Sequence, residues 1–474
     1  MPFLSRALSL NPGGLAAEDG ERVWSYGDLS REAEGIARRL RTIGVEPGHV
    51  VSLAGRVDGS LLAALHGIWK AGGTVAPTND RWTKDERTRA LAVLKPRLFL
   101  AGEGRGGRSE AGPGLPGLEA FRLGASGEPS LPSLRDLDPS PGPLPGLPLD
   151  ADAAHLLTSG TSGQPRVVRI TVQNLLASAE GSRDRLDLRP SDRWLGSLSL
   201  SHVGGMALAT RASVVGSALV LRGSFSVASF LVLLEDRAIT HASLVPTMLH
   251  QALAAWGGEA VPDSLRCLLI GGAPAQEDLV RDALKAGFPI ALTYGLTEAS
   301  SQVATAPPAL VEEKPGTVGA PLPGVIVRVS DSGELLVQGP TVAPGQAGTD
   351  GWLHTGDLAR VDADGHLWIT GRQSDRIISG GVNVDPAEVA KALESHPQVD
   401  EVEVVGVPDR EWGERVVAVV VSRSPGTALR DELDQLARTA LSSAKRPRAI
   451  RFLDSVPRNP NGKVDRKKLR DLFR

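Results

Sequence analysis

Short apolar runs alternate with helix-periodic stretches along most of this chain, and that alternation limits the fold more than any other feature. From Ser30 to Arg41 the residues Ala33, Ile36, Ala37 and Leu40 fall at i, i+3, i+4 and i+7. They mark one face of an amphipathic helix, which Gly44 can close with a left-handed cap. The apolar run Val50 to Ala54 follows, then a helix-like stretch from Leu61 to Lys70 and a short run around Val75, punctuated by Gly72-Gly73. Strands alternating with helices predict parallel βαβ units. A chain of 474 residues has room for about two to four such domains. No apolar run reaches the ~18 residues that a membrane span requires.

Charge and cysteine content narrow the functional classes. Lys plus Arg number 52 against 55 Asp plus Glu, a net charge of -3, which argues against nucleic-acid binding through a bulk positive field. The single cysteine, Cys267, excludes an intramolecular disulfide. The stretch Met1-Pro2-Phe3-Leu4-Ser5-Arg6 lacks the charged-then-apolar layout of a signal peptide, so a reducing cytoplasm is the expected location. Gly and Pro total 54 and 34, well above ordinary usage, which directs attention to the loops.

The texture changes three times. Gly102 to Pro148 is rich in Gly, Pro and Ser without sustained periodicity and reads as a surface excursion or loose connection. From Ala153 the alternation resumes: a strand into Thr158, a turn, a strand near Val167 to Ile170, a helix from about Val172, and further units through Val311. Between Gly324 and Thr370, short strands (Val325 to Val329, Glu334 to Gln338, Leu367 to Thr370) predict a small β-rich subdomain. Past Gly371, strands at Glu401 to Val407 and Arg415 to Val421 precede a helix on which Leu429, Leu433, Leu436, Ala437, Ala440 and Leu441 share a face. A last strand follows at Ile450 to Leu453. About 100 residues suffice for a separate α+β domain, with its boundary within Gly371 to Arg376.

Chemistry concentrates in the glycine-rich loops. Thr158-Ser159-Gly160-Thr161-Ser162-Gly163-Gln164-Pro165-Arg166 lies between two expected strands. Its hydroxyls and glycines let O–H and backbone N–H donors converge on a polyphosphate, with charge from Arg166. It is not a Walker A loop, because the G-K-[ST] ending that opens a helix is missing. Four more motifs follow in order. Tyr294-Gly295-Leu296-Thr297-Glu298 follows an apolar strand, and Trp352-Leu353-His354-Thr355-Gly356-Asp357 precedes a strand. Gly371-Arg372-Gln373-Ser374-Asp375-Arg376-Ile377-Ile378-Ser379-Gly380-Gly381 sits at the inferred boundary, and Pro457-Arg458-Asn459-Pro460-Asn461-Gly462-Lys463 comes near the end.

Alone, Asp357 reads as an ordinary Asx turn and Lys463 as a solvated hairpin end. In this order and spacing the set resembles the adenylate-forming superfamily of acyl-CoA synthetases, luciferases and peptide-synthetase adenylation domains, over nearly the whole chain. The resemblance implies an α/β fold: a large N-terminal adenylation domain of βαβ-type subdomains over residues 1–373, including the β-rich part 324–370, and a mobile C-terminal α+β domain over 374–474. It implies ATP, Mg2+ and the co-substrate CoA. A carboxylate attacks the α-phosphate of ATP to give an acyl-adenylate, and a thiol then displaces AMP.

Residue by residue, the resemblance assigns Thr158, Ser159, Gly160, Thr161, Ser162, Gly163 and Arg166 to the departing phosphates. Thr297 would meet the α-phosphate, and Glu298 would help hold Mg2+. Asp357 would accept the ribose hydroxyls with Arg372 nearby. Gly271-Gly272-Ala273-Pro274 would pass beneath adenine, with Tyr294 and Gly295 on the other side. Lys463 would bridge carboxylate and phosphate oxygens, Ser374 would be the hinge, and Gly380 and Gly381 would line the CoA tunnel. The sequence departs from the superfamily at Arg166, where Lys is usual, and at Ser374, where many relatives carry Asp or Lys. A guanidinium still binds phosphate, so an altered but retained grip is expected.

The hinge segment and Tyr294-Gly295-Leu296-Thr297-Glu298-Ala299-Ser300-Ser301-Gln302 look most like those of o-succinylbenzoate-CoA ligases of menaquinone biosynthesis. A third match is Ser201-His202-Val203-Gly204-Gly205-Met206, followed by Arg211 nine residues after His202. By that resemblance His202 stands between acyl pocket and thiol tunnel, and His202, Arg211, Ser301 and Gln302 line the substrate site. Independently, Arg211 lies in an apolar stretch with no acidic residue between Arg193 and Leu233, so its guanidinium needs an anion or a route to water. The expected partners are a carboxylic acid, ATP and CoA, with no nucleic acid and no membrane span. A homo-oligomer remains open. So do two alternatives, another aryl- or medium-chain acyl-CoA ligase and a stand-alone adenylation domain loading a carrier protein.

Overall fold

The computed structural model describes residues 2–20, 22–79, 82–102, 118–123, 131–159, 165–223, 225–273, 275, 277–372, 377–457 and 466–473. Among these, two large sheets build the N-terminal region. The first runs Ala120–Arg122, Leu98–Ala101, Val50–Ala54, Thr74–Pro77, Asp152–Ser159, Pro165–Thr171. It is parallel except for the antiparallel hairpin of its last two strands. The second runs Ser301–Ala306, Ile290–Leu296, Cys267–Ile270, His241–Leu244, Arg193–Gly196, Ala218–Leu221, Leu15–Glu18, Val23–Ser25. Its interior is parallel and its two edge strands are antiparallel.

One hydrophobic core joins both sheets to the helices Tyr26–Thr42, Gly59–Lys70, Val172–Leu186 and Val203–Val215. Gly59–Lys70 and Val203–Val215 are buried on nearly every side, which explains why neither carries a polar stripe. Tyr26–Thr42 is amphipathic as expected, with Leu29, Ala33, Ala37 and Leu40 buried, a Ser25–Asp28 capping box, and Gly44 at φ 79° just past its end. Two buried polar groups tie these layers together. Tyr26 Oη donates to the carbonyls of Ala212 (2.8 Å) and Ser217 (2.6 Å), and Trp69 Nε1 donates to Ala153 O at 2.8 Å.

The β-rich subdomain is an antiparallel sheet of Ile326–Val329, Glu334–Gln338, Leu353–Val361 and Leu367–Arg372. Asp357 does not precede a strand, as its motif suggested, but lies inside Leu353–Val361. His354 and Gly356 interrupt the apolar pattern and hide the strand's first half. The small C-terminal domain pairs Val399–Asp409 with Gly413–Ser422, adds Ala449–Leu453 in parallel, and packs Thr427–Ala440 through Leu429, Leu433 and Ala437.

Within 102–148, the described residues 118–123 and 131–148 are less loose than the composition implied. Leu134 (1% exposed) and Leu147 (8%) are core residues, and the carbonyls of Leu137, Asp138 and Gly142 accept from Arg39, Thr42 and Arg38. Backbone carbonyls do that packing, so side-chain periodicity does not reveal it.

Candidate active site

The strands Ile290–Leu296 and Ser301–Ala306 meet in an irregular hairpin whose register shifts between Tyr294 and Gly295. A Cβ on Gly295 would stand 1.8 Å from Ser301 O, so only glycine lets the two backbones approach. Thr297–Ala299 forms a single 3₁₀ turn, and Ser300 and Ser301 then adopt φ of 54° and 105°. Two consecutive non-glycine residues at positive φ store strain of the kind found at functional sites. Both are buried, whereas Thr297 and Glu298 on the turn are half-buried. Tyr294 Oη donates to Asp357 Oδ2 at 2.6 Å. Asp357 is 1% exposed, its N–H donates to Thr355 Oγ1 at 3.0 Å, and its cross-strand partner is Arg372. Tyr294 and Asp357 thus meet from two sheets.

The Gly271-Gly272-Ala273 segment leaves the end of the Cys267–Ile270 strand, with Gly272 at φ 80°. Val245 lies beside it, 3.4 Å from where a Gly272 Cβ would be. Gly381 also meets Val245, where its Cβ would fall 2.8 Å from the same atom, Cγ1. The hairpin of Ile377–Ser379 and Val382–Val384 turns at Gly380 and Gly381, so the C-terminal domain reaches the glycine segment there. A second contact joins the domains: Glu86 Oε1 accepts from Ser442 N at 2.8 Å, and Lys445 Nζ stands 3.8 Å away. Nothing in the sequence singles out Glu86, because its partner across the seam is a backbone N–H.

His202 is exposed at the N-terminus of Val203–Val215, with Nε2 3.3 Å from Asn79 Nδ2. His202 is the extended N-cap, and Arg211 lies within the helix. Arg211 is 3% exposed, its guanidinium lies 4.7 Å over the Trp194 ring, and its Nη2 donates to Gln302 Oε1 at 2.6 Å. The structure thus brings Arg211 and Gln302 together across 91 positions. Among the described residues no carboxylate pairs with Arg211, and its Nε is buried without an acceptor. Burial, partly offset by Cys267, lowers its pKa to about 10, which leaves it a cation at neutral pH.

In the hairpin of Asp152–Ser159 and Pro165–Thr171, Thr158 pairs with Arg166; Thr158 is half-buried and Arg166 exposed. Gly160, Thr161, Ser162, Gly163, Pro274, Ser374 and Lys463 lie outside the described residues. Asp362, Asp364 and His366 bring their ligand atoms together, but the Lys314 ammonium fills that cluster, 2.9 Å from Asp362 and also bonded to Asp364.

This chain belongs to the AMP-binding enzyme family. The model of that family matches residues 4–346, and the model of the AMP-binding enzyme C-terminal domain matches 388–463. It is accordingly an ATP-dependent adenylate-forming ligase. A 2-succinylbenzoate–CoA ligase from Bacillus licheniformis is 32% identical over 490 residues, covering 98% of each chain. An o-succinylbenzoate CoA synthetase from Bacillus subtilis, solved as a double mutant bound with its product analogue, superposes with a TM-score of 0.87 at 28% identity, over 99% of this chain and 98% of that one. The same enzyme in complex with ATP and magnesium ion gives only 0.72 at 28% identity, over 99% of both chains. An amide bond synthetase from Marinactinospora thermotolerans gives 0.89 at 26% identity over 100% of both. No helix among the described residues is long and apolar enough to cross a membrane.

Proposed function

We propose that the protein is an acid–CoA ligase that activates 2-succinylbenzoate as its adenylate and then transfers the acyl group to CoA, in menaquinone biosynthesis in the cytoplasm. The observation that carries the acid's identity is Arg211, a buried cation whose described surroundings supply a neutral acceptor and no carboxylate. An acid with a second carboxylate supplies the missing anion, and full-length similarity to 2-succinylbenzoate–CoA ligases supports that reading.

In this reading Asp357 and Arg372 hold the ribose, Tyr294 and the Gly271–Pro274 segment flank adenine, and Glu298 helps hold Mg2+. Thr297, the 158–166 loop and Lys463 handle the phosphates. The domain boundary falls at 373–374 with Ser374 as pivot. The closer superposition on the product-analogue complex than on the ATP complex, together with the Gly381–Val245 contact, supports the thioester-forming arrangement of the two domains.

The test is a ligase assay with ATP, CoA and a panel of aromatic and aliphatic acids, reading AMP and thioester, in wild type and Arg211→Leu. The expected outcome is a preference for 2-succinylbenzoate over a monocarboxylic aryl acid that collapses in the variant, a loss of roughly 2 to 5 kcal/mol for a desolvated unpaired carboxylate. Equal losses for both acids would leave Arg211 as a wall of the fold and remove the substrate assignment. The likeness to an amide bond synthetase supports a second reading in which an amine is the acceptor. Amide formation in place of thioester in the same assay would select it.

A further inference from the structure

Gln302 is expected from its motif to contact the acid, but the structure leaves it no capacity to do so. A side-chain amide offers two N–H donors and two acceptor lone pairs. Its Oε1 accepts from Arg211 Nη2 (2.6 Å) and Ser182 Oγ (2.7 Å). Its Nε2 donates to Thr305 Oγ1 (2.7 Å) and Thr293 Oγ1 (3.2 Å). All four positions are used, and the residue is 3% exposed. Rotating the amide would turn its N–H donors on the guanidinium, so the oxygen is fixed toward Arg211.

Every other group in this cradle is neutral. Ser182 and the two threonines are uncharged, burial pushes the neighbouring Cys267 thiol up to about 12, and burial pushes His241, stacked on the arginine's Trp194, down to about 4. The nearby Asp192 is occupied by Arg266 at 2.7 Å. A glutamate at 302 would fill nearly the same volume and neutralise the arginine, whereas glutamine supplies the oxygen without the charge.

We propose that Gln302 is a positioning residue acting through Arg211: held by Ser182, Thr293 and Thr305, it orients the guanidinium while leaving its charge uncompensated, so that the site selects an acid bearing a second carboxylate. The opposite position to Gln302 in the strand pair is Gly295, which sets this cation beside the Tyr294–Glu298 turn. The inference rests on the reading of Arg211 given above.

The experiment compares wild type, Gln302→Glu, Ser182→Ala and Arg211→Leu by ATP–pyrophosphate exchange, with 2-succinylbenzoate and with a monocarboxylic aryl acid. The readout is the ratio of the two kcat/KM values. Gln302→Glu is expected to lower that ratio by about thirtyfold or more, chiefly through KM for the dicarboxylate, because the new carboxylate competes for the same cation. Ser182→Ala, which loosens the amide without adding charge, should lower it about threefold. An unchanged ratio in Gln302→Glu, or equal loss for both acids, overturns the proposal. If that variant does not fold, the ratio in Ser182→Ala decides in the same way. A ratio that survives Arg211→Leu defeats the reading of Arg211 itself. A ratio that collapses in Arg211→Leu and survives in Gln302→Glu defeats only the role of Gln302.

Discussion

Around Arg211 the polar partners Ser182, Gln302 and Thr305 are all buried within the N-terminal region, whereas the seam between the two domains is held by groups that each keep a partner on their own side. Glu86 Oε2 accepts from Thr83 N at 2.9 Å as part of a helix capping box, and Lys445 Nζ donates to Glu388 Oε1 at 2.8 Å within the C-terminal domain. Parting the domains costs Glu86 the Ser442 N–H and costs Arg89 the Ala440 carbonyl, and water can replace both. Moving Arg211 would strand a buried amide and a buried cation, which water cannot reach. The first arrangement suits a site that must discriminate and the second a contact that must open.

The largest expected difference comes from making the same substitution in each region. Gly295→Ala puts a Cβ 1.8 Å from a backbone oxygen, so the hairpin bearing Tyr294 and Gln302 must open, at about 3 kcal/mol or more. Gly381→Ala meets the Val245 side chain at 2.8 Å from a backbone at φ 74°. The C-terminal hairpin can retreat from Val245, so the effect on unfolding should stay near the ~1–2 kcal/mol of the left-handed backbone. Chemical unfolding of both variants measures this. Comparable destabilisation in the two would erase the distinction between network and seam.

The same contrast explains how much of the molecule was legible beforehand. Val50–Ala54 and Gly59–Lys70 were readable as continuous apolar runs of strand and helix length, and the Leu429, Leu433, Ala437 face by its helical period. The motif residues Tyr294 and Asp357, 63 positions apart, do meet. What stayed hidden has no local signal. The saturation of Gln302 depends on Ser182, 120 positions away, and the seam pairs Glu86 with a backbone amide 356 positions away. The carbonyls that anchor residues 137–142 carry no side-chain pattern at all.

Acid offers a second, smaller way to act on the buried side. His66 is fully buried, with Nε2 3.3 Å from Ser213 Oγ, and burial, reinforced by the Lys70 charge, pushes its pKa down from 6.5 to about 3. The folded protein holds it neutral, while the unfolded chain takes up a proton below pH 6.5. Its contribution is therefore complete above pH 6.5 and is lost as pH falls toward the folded value. Between pH 6.5 and 5 the loss amounts to about 2 kcal/mol. His66→Gln keeps a polar group and removes the titration. Unfolding free energies at the two pH values should show a smaller pH dependence in that variant by about this amount, and an identical dependence would mean that His66 is reached by water.

The smallest effect is expected at the seam itself, from Glu86→Ala. The substitution exchanges the hydrogen bond to Ser442 N for one to water, a net loss of ~0.5 kcal/mol, and removes half of the capping box at Thr83, worth about 0.5 kcal/mol. Thr83→Ala removes the cap without touching the seam, so the pair of variants separates the two contributions. Both should lower the unfolding midpoint slightly. Only Glu86→Ala should shift the distance between labels on the two domains and slow thioester formation from preformed acyl-adenylate, by about fivefold, while ATP–pyrophosphate exchange holds its rate. The asymmetry follows from the proposed alternation of the C-terminal domain: a carboxylate that grips that domain in one position would help the half-reaction carried out there and be idle in the other. Equal behaviour of Glu86→Ala and Thr83→Ala in both half-reactions would mean that Glu86 merely caps its helix, and that the grip on the C-terminal domain lies with Val245 and Gly381.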